Sequence, residues 1–286
     1  MKPYLFVAPV LIVFGAFIYW PILYSVWLSL HRWDFLMPQP DFIGLDNYRV
    51  MLTDAQFQGA LWNTLLFSLA SIPPKLALAL FIAVQIASPT RANRLFRSIY
   101  FMPTVMSAVA IGVIFDWIMS TEVGILNRML EAVGIDPVRW LSDPDLALYS
   151  LALVEVWKGF GYDVVIYAAG LQAIPIALYE ASRMDGASPR RQFWDVTFPL
   201  IMPTTFFLLI LALINGFQVY TFVDVMTQGG PARSTDVILY YLVRVGFEAA
   251  NTGLGSAVAV FLFALLIGIT LLNFLTIGRK VHYGYD

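Results

Sequence analysis

Six long apolar stretches constrain this chain more than any other feature of its sequence. They run approximately from Tyr4 to Leu30, Gly59 to Ala87, Ser98 to Met119, Leu146 to Ile174, Phe198 to Met226 and Leu254 to Ile277. A helix rises about 1.5 Å per residue, so about 20 apolar residues cross a hydrocarbon core of about 30 Å. Each stretch meets that length. The expected fold is an all-α membrane protein with about six transmembrane helices, forming a single domain over residues 1–286. The apolar run of the first stretch is longer than the core of a signal peptide and no small-residue cleavage site follows it, so it is expected to stay in the protein.

Composition narrows the function. Charged residues make up 13% of the chain and hydrophobic ones 59%, against roughly 25% charged in a soluble domain. No separate catalytic domain fits between the spans. Cysteine is absent, and the two histidines, His31 and His282, stand at segment ends. Neither a metal centre nor thiolate chemistry is expected, and no catalytic residue is assigned. The net charge of −2 includes no basic stripe of the kind that binds nucleic acid.

Lysine and arginine in short loops set orientation, because moving positive charge outward is disfavoured. An N-terminus inside places Lys2, Arg91, Arg94, Arg97, Arg183, Arg190, Arg191, Arg279 and Lys280 inside, nine in all, against six in the outer loops. Both termini are therefore expected in the cytoplasm. The outer loops are long for mere connections and read either as solvated loops or as a docking surface.

Between the fourth and fifth stretches, on the expected cytoplasmic side, a polar segment runs from about residue 178 to Pro199. Glu180 to Met184 has good helix formers, and Gly186 supplies a stop. Ser188 before Pro189 is a fresh N-cap with proline at the first helical position. A second short helix should reach about Val196, with Pro199 and Pro203 opening the fifth membrane helix, where the first proline costs no hydrogen bond. Ala181, Ser182, Gly186 and Ala187 are small enough for another surface to approach the backbone, while Glu180, Arg183 and Asp185 offer polar pairing. The pattern alone fits an amphipathic segment on the membrane or an element that docks a partner.

Charge inside the spans asks for a partner or a wet cavity. Glu155, Lys158, Gly159 and Tyr162 stand at i, i+3, i+4 and i+7 and share a helix face. Asn215, Gln218 and Phe222 repeat the spacing in the fifth stretch. Polar groups with an aromatic rim suit a shared solute pathway, and they equally suit helix packing, with Glu155 paired to Lys158. Lys75, after the helix-kinking Pro73 and Pro74, is expected to pair with Glu155, the alternative being attraction of an anionic solute. Trp157, Asp163 and Asp224 carry no assignment.

Glu180-Ala181-Ser182, then Gly186, then Val196-Thr197-Phe198-Pro199 resembles the EAA loop of permease subunits in binding-protein-dependent ABC importers. Ser182, Val196 and Phe198 replace alanine, isoleucine and leucine of that pattern. The resemblance covers nearly the whole chain. Asp185 to Pro199 and the loop Thr227-Gln-Gly-Gly-Pro-Ala-Arg-Ser-Thr-Asp236 look like the carbohydrate-uptake branch, which takes oligosaccharides, monosaccharide derivatives or glycerol-3-phosphate. The resemblance implies that Glu180, Ala181, Ser182, Asp185, Gly186, Ala187 and Pro199 couple the chain to a cytoplasmic ATPase. It implies a first-type permease working with a sibling permease, two ATP-binding subunits and an extracytoplasmic solute-binding protein in a prokaryotic inner membrane. No cofactor is expected in this chain, ATP and magnesium belonging to the partner ATPase, and transport would follow alternating access.

The alternatives are weaker. A membrane enzyme built on Glu155, Asp116 and Asp224 lacks histidine, cysteine or paired-carboxylate spacing in the core. A transporter driven by an ion gradient normally has more helices, internal repeats and broken helices at its site. No channel filter and no phosphate-cradling GxxxxGK[ST] loop occurs. An ABC importer of a non-carbohydrate solute remains the second reading.

Overall fold

The computed structural model describes residues 2–34 and 38–276, with side chains from residue 7 onward. The expected inner charges Arg279 and Lys280, the end of the last stretch at Ile277, and His282 lie outside the described residues. In hydrocarbon each backbone N–H and C=O must find an internal partner, which helices alone provide within one segment. The described chain is accordingly helical, with one antiparallel strand pair, β1 (His31–Arg32) and β2 (Asp41–Phe42), in the register His31 to Phe42.

The first span joins α1 (Lys2–Phe14) to α2 (Trp20–Ser29) through a π-helical turn, Gly15–Tyr19. Pro21 follows that turn and has no N–H to return to Phe17, so the register shifts by one residue just before it. Most of this span faces outward and carries a ladder of aromatic rings, Trp20 on Tyr24 on Trp27. Its packing partner is α13 (Thr252–Thr276). After the strand pair and α3 (Asp46–Thr53) comes α4 (Ala55–Ile86), 32 residues long and capped by Asp54, whose carboxylate accepts from Gln56 N–H at 2.9 Å.

The centre is α4 against α8 (Ala147–Gln172), with α11 (Phe198–Phe217) laid over both. Tyr167, Leu151, Phe67 and Ile201 are fully buried there. The stretch Ser98 to Met119 is not one helix. It divides into α5 (Arg91–Val105) and α6 (Ala108–Ile118), which meet at 92°. Pro103 removes a backbone donor in the last turn of α5, and Met106 and Ser107 then adopt extended backbone. α5 crosses α8 at Gly161, where a Cβ would collide with the Tyr100 carbonyl, so only glycine lets the backbones meet.

At the end of the bundle opposite the polar segment, the long loops are built rather than loose. They hold α3, α7 (Ile125–Ala132) and α12 (Ile238–Val243). Asn127 alone, buried on α7, donates to the carbonyls of Thr121 and Val138 and accepts from Val138 N–H and Trp140 Nε1. Tyr241 donates to the α4-capping Asp54 at 2.6 Å, and Arg244 lies 2.7 Å from Asp236. Burial pushes the Asp236 carboxyl above the usual carboxylate range, against the opposing pull of Arg244.

Candidate functional site

Two regions carry the polar residues singled out by sequence. One is a cleft of about 500 Å³ where α4, α5, α8 and α11 converge. α8 contributes Glu155, Lys158, Gly159, Tyr162 and Asp163 from one face near its middle, and α4 contributes Lys75. The double proline before Lys75 leaves the carbonyls of Leu69 and Ala70 without their helical donors, yet α4 runs on through it.

Lys75 is 7% exposed, and its ammonium lies 3.9 Å from the Asp163 carboxylate. The expected pairing of Lys75 with Glu155 is therefore replaced by one with Asp163. Glu155 flanks the lysine instead: a Cβ placed on Gly159 would stand 3.5 Å from Lys75 Nζ and 3.6 Å from Glu155 Oε1. The local pair of Glu155 with Lys158 does not form either. Lys158 turns to Thr104, donating to its carbonyl at 3.4 Å, while Thr104 Oγ1 donates to the Lys158 carbonyl at 3.0 Å. Asp163 had a readable signal, since it stands four residues beyond Gly159 and continues the stripe of Glu155 and Gly159.

Asn215, Gln218 and Phe222 also line the cleft, although not as a helical stripe. α11 ends at Phe217, and the chain runs irregularly through Val219 and Tyr220 before a π-helical turn at Val223–Thr227. Irregular backbone at membrane depth persists only where protein or a watery cavity surrounds it. The gap also delivers Tyr220 and Thr221 to the lining, which the hydropathy of the stretch does not signal. The break after α5 borders the same cleft through Thr104 and Ala108. Discontinuous helices bordering a cavity recur at transport sites, so this feature does not separate the importer reading from the ion-gradient one. Of the acids named by the enzyme reading, Glu155 lines the cleft, while Asp116 and Asp224 do not.

The other region is the polar segment. α9 (Ile176–Met184) ends in a Schellman turn: Gly186 N–H donates to Arg183 O and Ala187 N–H to Ser182 O, both at 3.0 Å. Gly186 takes φ +76°, which glycine alone adopts without strain. Ser188 then caps α10 (Pro189–Gln192) by accepting from Arg191 N–H at 3.4 Å. The α9 ridge is exposed at Glu180, Ala181 and Asp185, and Met184 is 88% exposed. Ser182 and Ala187 are half-buried beneath it.

The fifth helix does not open at the prolines. It starts at Pro189 and runs without interruption to Phe217. A π-helical turn at Phe193–Thr197 absorbs Pro199, with Phe198 N–H reaching back to Phe193 O. Pro199 itself is exposed on the flank of that helix.

These features define a multi-pass membrane component with a mid-depth polar cleft and an exposed, rigidly capped helical segment at one end. The chain belongs to the family described as the binding-protein-dependent transport system inner membrane component, which it matches over residues 75–277. It is 34% identical over 284 residues to a probable ABC transporter permease, YurN, of Bacillus subtilis, covering 97% of each chain. To the sn-glycerol-3-phosphate transport permease UgpA of Agrobacterium fabrum it is 33% identical, over 99% of this chain and 96% of that one. Its fold superposes with a TM-score of 0.87 and 25% identity on a bacterial alginate ABC transporter solved with an alginate pentasaccharide-bound periplasmic protein. That match covers 99% of this chain and 96% of the other.

Proposed function

We propose that this chain is the first-type permease of an ATP-driven importer that carries a sugar or sugar-like solute by alternating access. The cleft carries this reading. Its tyrosines and Phe222 offer ring faces to sugar C–H surfaces, and Asn215, Gln218 and Thr104 offer hydrogen bonds at the same depth. Lys75, Glu155, Gly159 and Tyr162 complete the wall across which the solute passes. The names of the relatives, which include glycerol-3-phosphate and alginate transport, support a carbohydrate-like cargo.

Glu180, Ala181, Ser182, Asp185, Gly186, Ala187 and Pro199 form the surface that meets a separate ATPase. ATP and magnesium are bound there and not in this chain. The basic residues at the α9 end favour a cytoplasmic position for it, and for both termini. The helical loops at the opposite end then receive a solute-binding protein, and a sibling permease completes the pathway.

The test is to compare wild type with Gly186→Pro and Glu180→Lys in membranes carrying the whole transporter. Proline cannot adopt φ +76°, so α9 loses its cap. Both variants should insert normally yet hydrolyse ATP without matching uptake. Wild-type uptake per ATP in both would overturn the coupling role.

A further inference from the structure

The cleft lining is charge-balanced. Its two ammonium groups, Lys75 and Lys158, face two carboxylates, Glu155 and Asp163, and no arginine lies among its described lining residues. Arginine is the side chain whose planar fork matches phosphate and carboxylate best. The lysines are also engaged. Lys75 lies against Asp163 at 3.9 Å, with both side chains under 10% exposed, and Lys158 donates to the Thr104 carbonyl.

Resting on the reading of this cleft as the solute pathway, we propose that it selects an uncharged polyhydroxyl solute, a neutral sugar or polyol. The Lys75–Asp163 pair makes it turn away phosphorylated and acidic sugars. An entering anion meets Glu155 and Asp163 at close range. To use Lys75 it must draw the lysine off Asp163, which strands a buried carboxylate, and removing one partner of a buried pair is far costlier than never forming it. The other cation, Lys158, is held at the Thr104 carbonyl at 3.4 Å and would have to leave or share it. A neutral sugar asks for no such exchange: hydroxyls bond to Asn215, Gln218 and Thr104, and ring faces stack on Tyr162 or Phe222. The choice separates this chain from relatives named for glycerol-3-phosphate and alginate, both anionic solutes.

The experiment uses the complete transporter, co-purified with its partner subunits in lipid nanodiscs and free of solute-binding protein. Maltose, trehalose, lactose, raffinose and glycerol serve as neutral probes, and glycerol 3-phosphate and galacturonate as anionic ones, with binding read by scintillation proximity. At least one neutral probe should bind, and both anions at least about tenfold more weakly, the scale of one charge-assisted hydrogen bond. Asp163→Asn should release Lys75 and raise glycerol 3-phosphate affinity by about tenfold, and adding Lys75→Met should abolish the gain. An anion that binds wild type as tightly as every neutral probe overturns the proposal, and this comparison needs no variant to fold. So does an intact Asp163→Asn complex with unchanged anion affinity. Binding of neither class overturns the solute-pathway reading itself, a failure distinct from a preference for anions.

Discussion

The Tyr179 hydroxyl meets the Thr197 hydroxyl at 3.0 Å and so ties α9 to the π-helical turn at the head of α11. Thr197 is buried, and Tyr179 belongs to the ridge that presents Glu180. Among the contacts between the polar segment and the long helix, this one joins two side chains across 18 residues of sequence.

Tyr179→Phe keeps the ring and removes the hydroxyl. A net hydrogen bond contributes about 1 kcal/mol, too little to unfold the segment and enough to loosen it. Uptake per ATP hydrolysed should fall a few-fold while the complex remains assembled, as measured by paired uptake and phosphate release in proteoliposomes. An unchanged ratio would show that the backbone turn alone holds α9.

Lys75 and Asp163 bridge the two central helices inside the protein. Asp163→Ala should destabilise by about 3–5 kcal/mol, because a buried ammonium loses its counter-charge. The double variant Lys75→Met, Asp163→Leu should recover most of that loss. Thermal unfolding of the purified complex in one detergent gives the comparison, and equal losses in single and double variants would contradict it.

At Gly161, an added methyl group meets the Tyr100 carbonyl, which is backbone and has nowhere to move except with α5. Gly161→Ala should cost about 1–3 kcal/mol as an overpacking change, and Gly161→Val more. The same thermal assay reads the order wild type, alanine, valine. A neutral alanine variant would mean that α5 and α8 slide apart freely.

Tyr241 is fully buried and donates to Asp54, and both burial and that bond push its phenol above the ordinary range of about 10. Folded protein thus holds this proton more tightly than unfolded chain. The stability it lends is complete below about pH 10 and is lost as pH rises towards the folded value. Phenolate absorbance of wild type and Tyr241→Phe should coincide through pH 10, and an earlier phenolate signal in wild type would refute the shift. The variant should also lose about 1.5–3 kcal/mol, the worth of a bond to a carboxylate.

Local chemistry made the polar segment readable. Gly186, Ser188 and Pro189 each act on their own few residues, and the turn and cap they imply are the ones that form. The α8 stripe of Glu155, Lys158, Gly159 and Tyr162 was readable for the same reason, since a regular helix puts its i, i+3, i+4 and i+7 positions on one face. What escaped lies where an apolar run continues while the helix does not. Hydropathy is blind to the right-angle break at Met106 and Ser107, and to the end of α11 at Phe217, because Asn215 and Gln218 are too few to lower the mean of an otherwise apolar run. The start of the fifth helix at Pro189 was hidden by Pro199, which signals a boundary but sits behind a turn that has already absorbed it. The partner of Lys75 depended on how α4 and α8 cross, which no single-strand pattern contains.

The uninterrupted helix from Pro189 to Phe217 has a mechanical consequence. Its 29 residues span about 43 Å. One end lies beside the Schellman turn, and the other stops where Asn215 and Gln218 face the cleft. Such an element is a lever. A tilt of about 5° imposed at its α9 end sweeps the far tip by about 4 Å. Because the chain unwinds just past that tip, the movement need not be passed on to the loops beyond. It is confined to the cleft wall, so under the proposed coupling role a push on α9 would reach the proposed solute cleft.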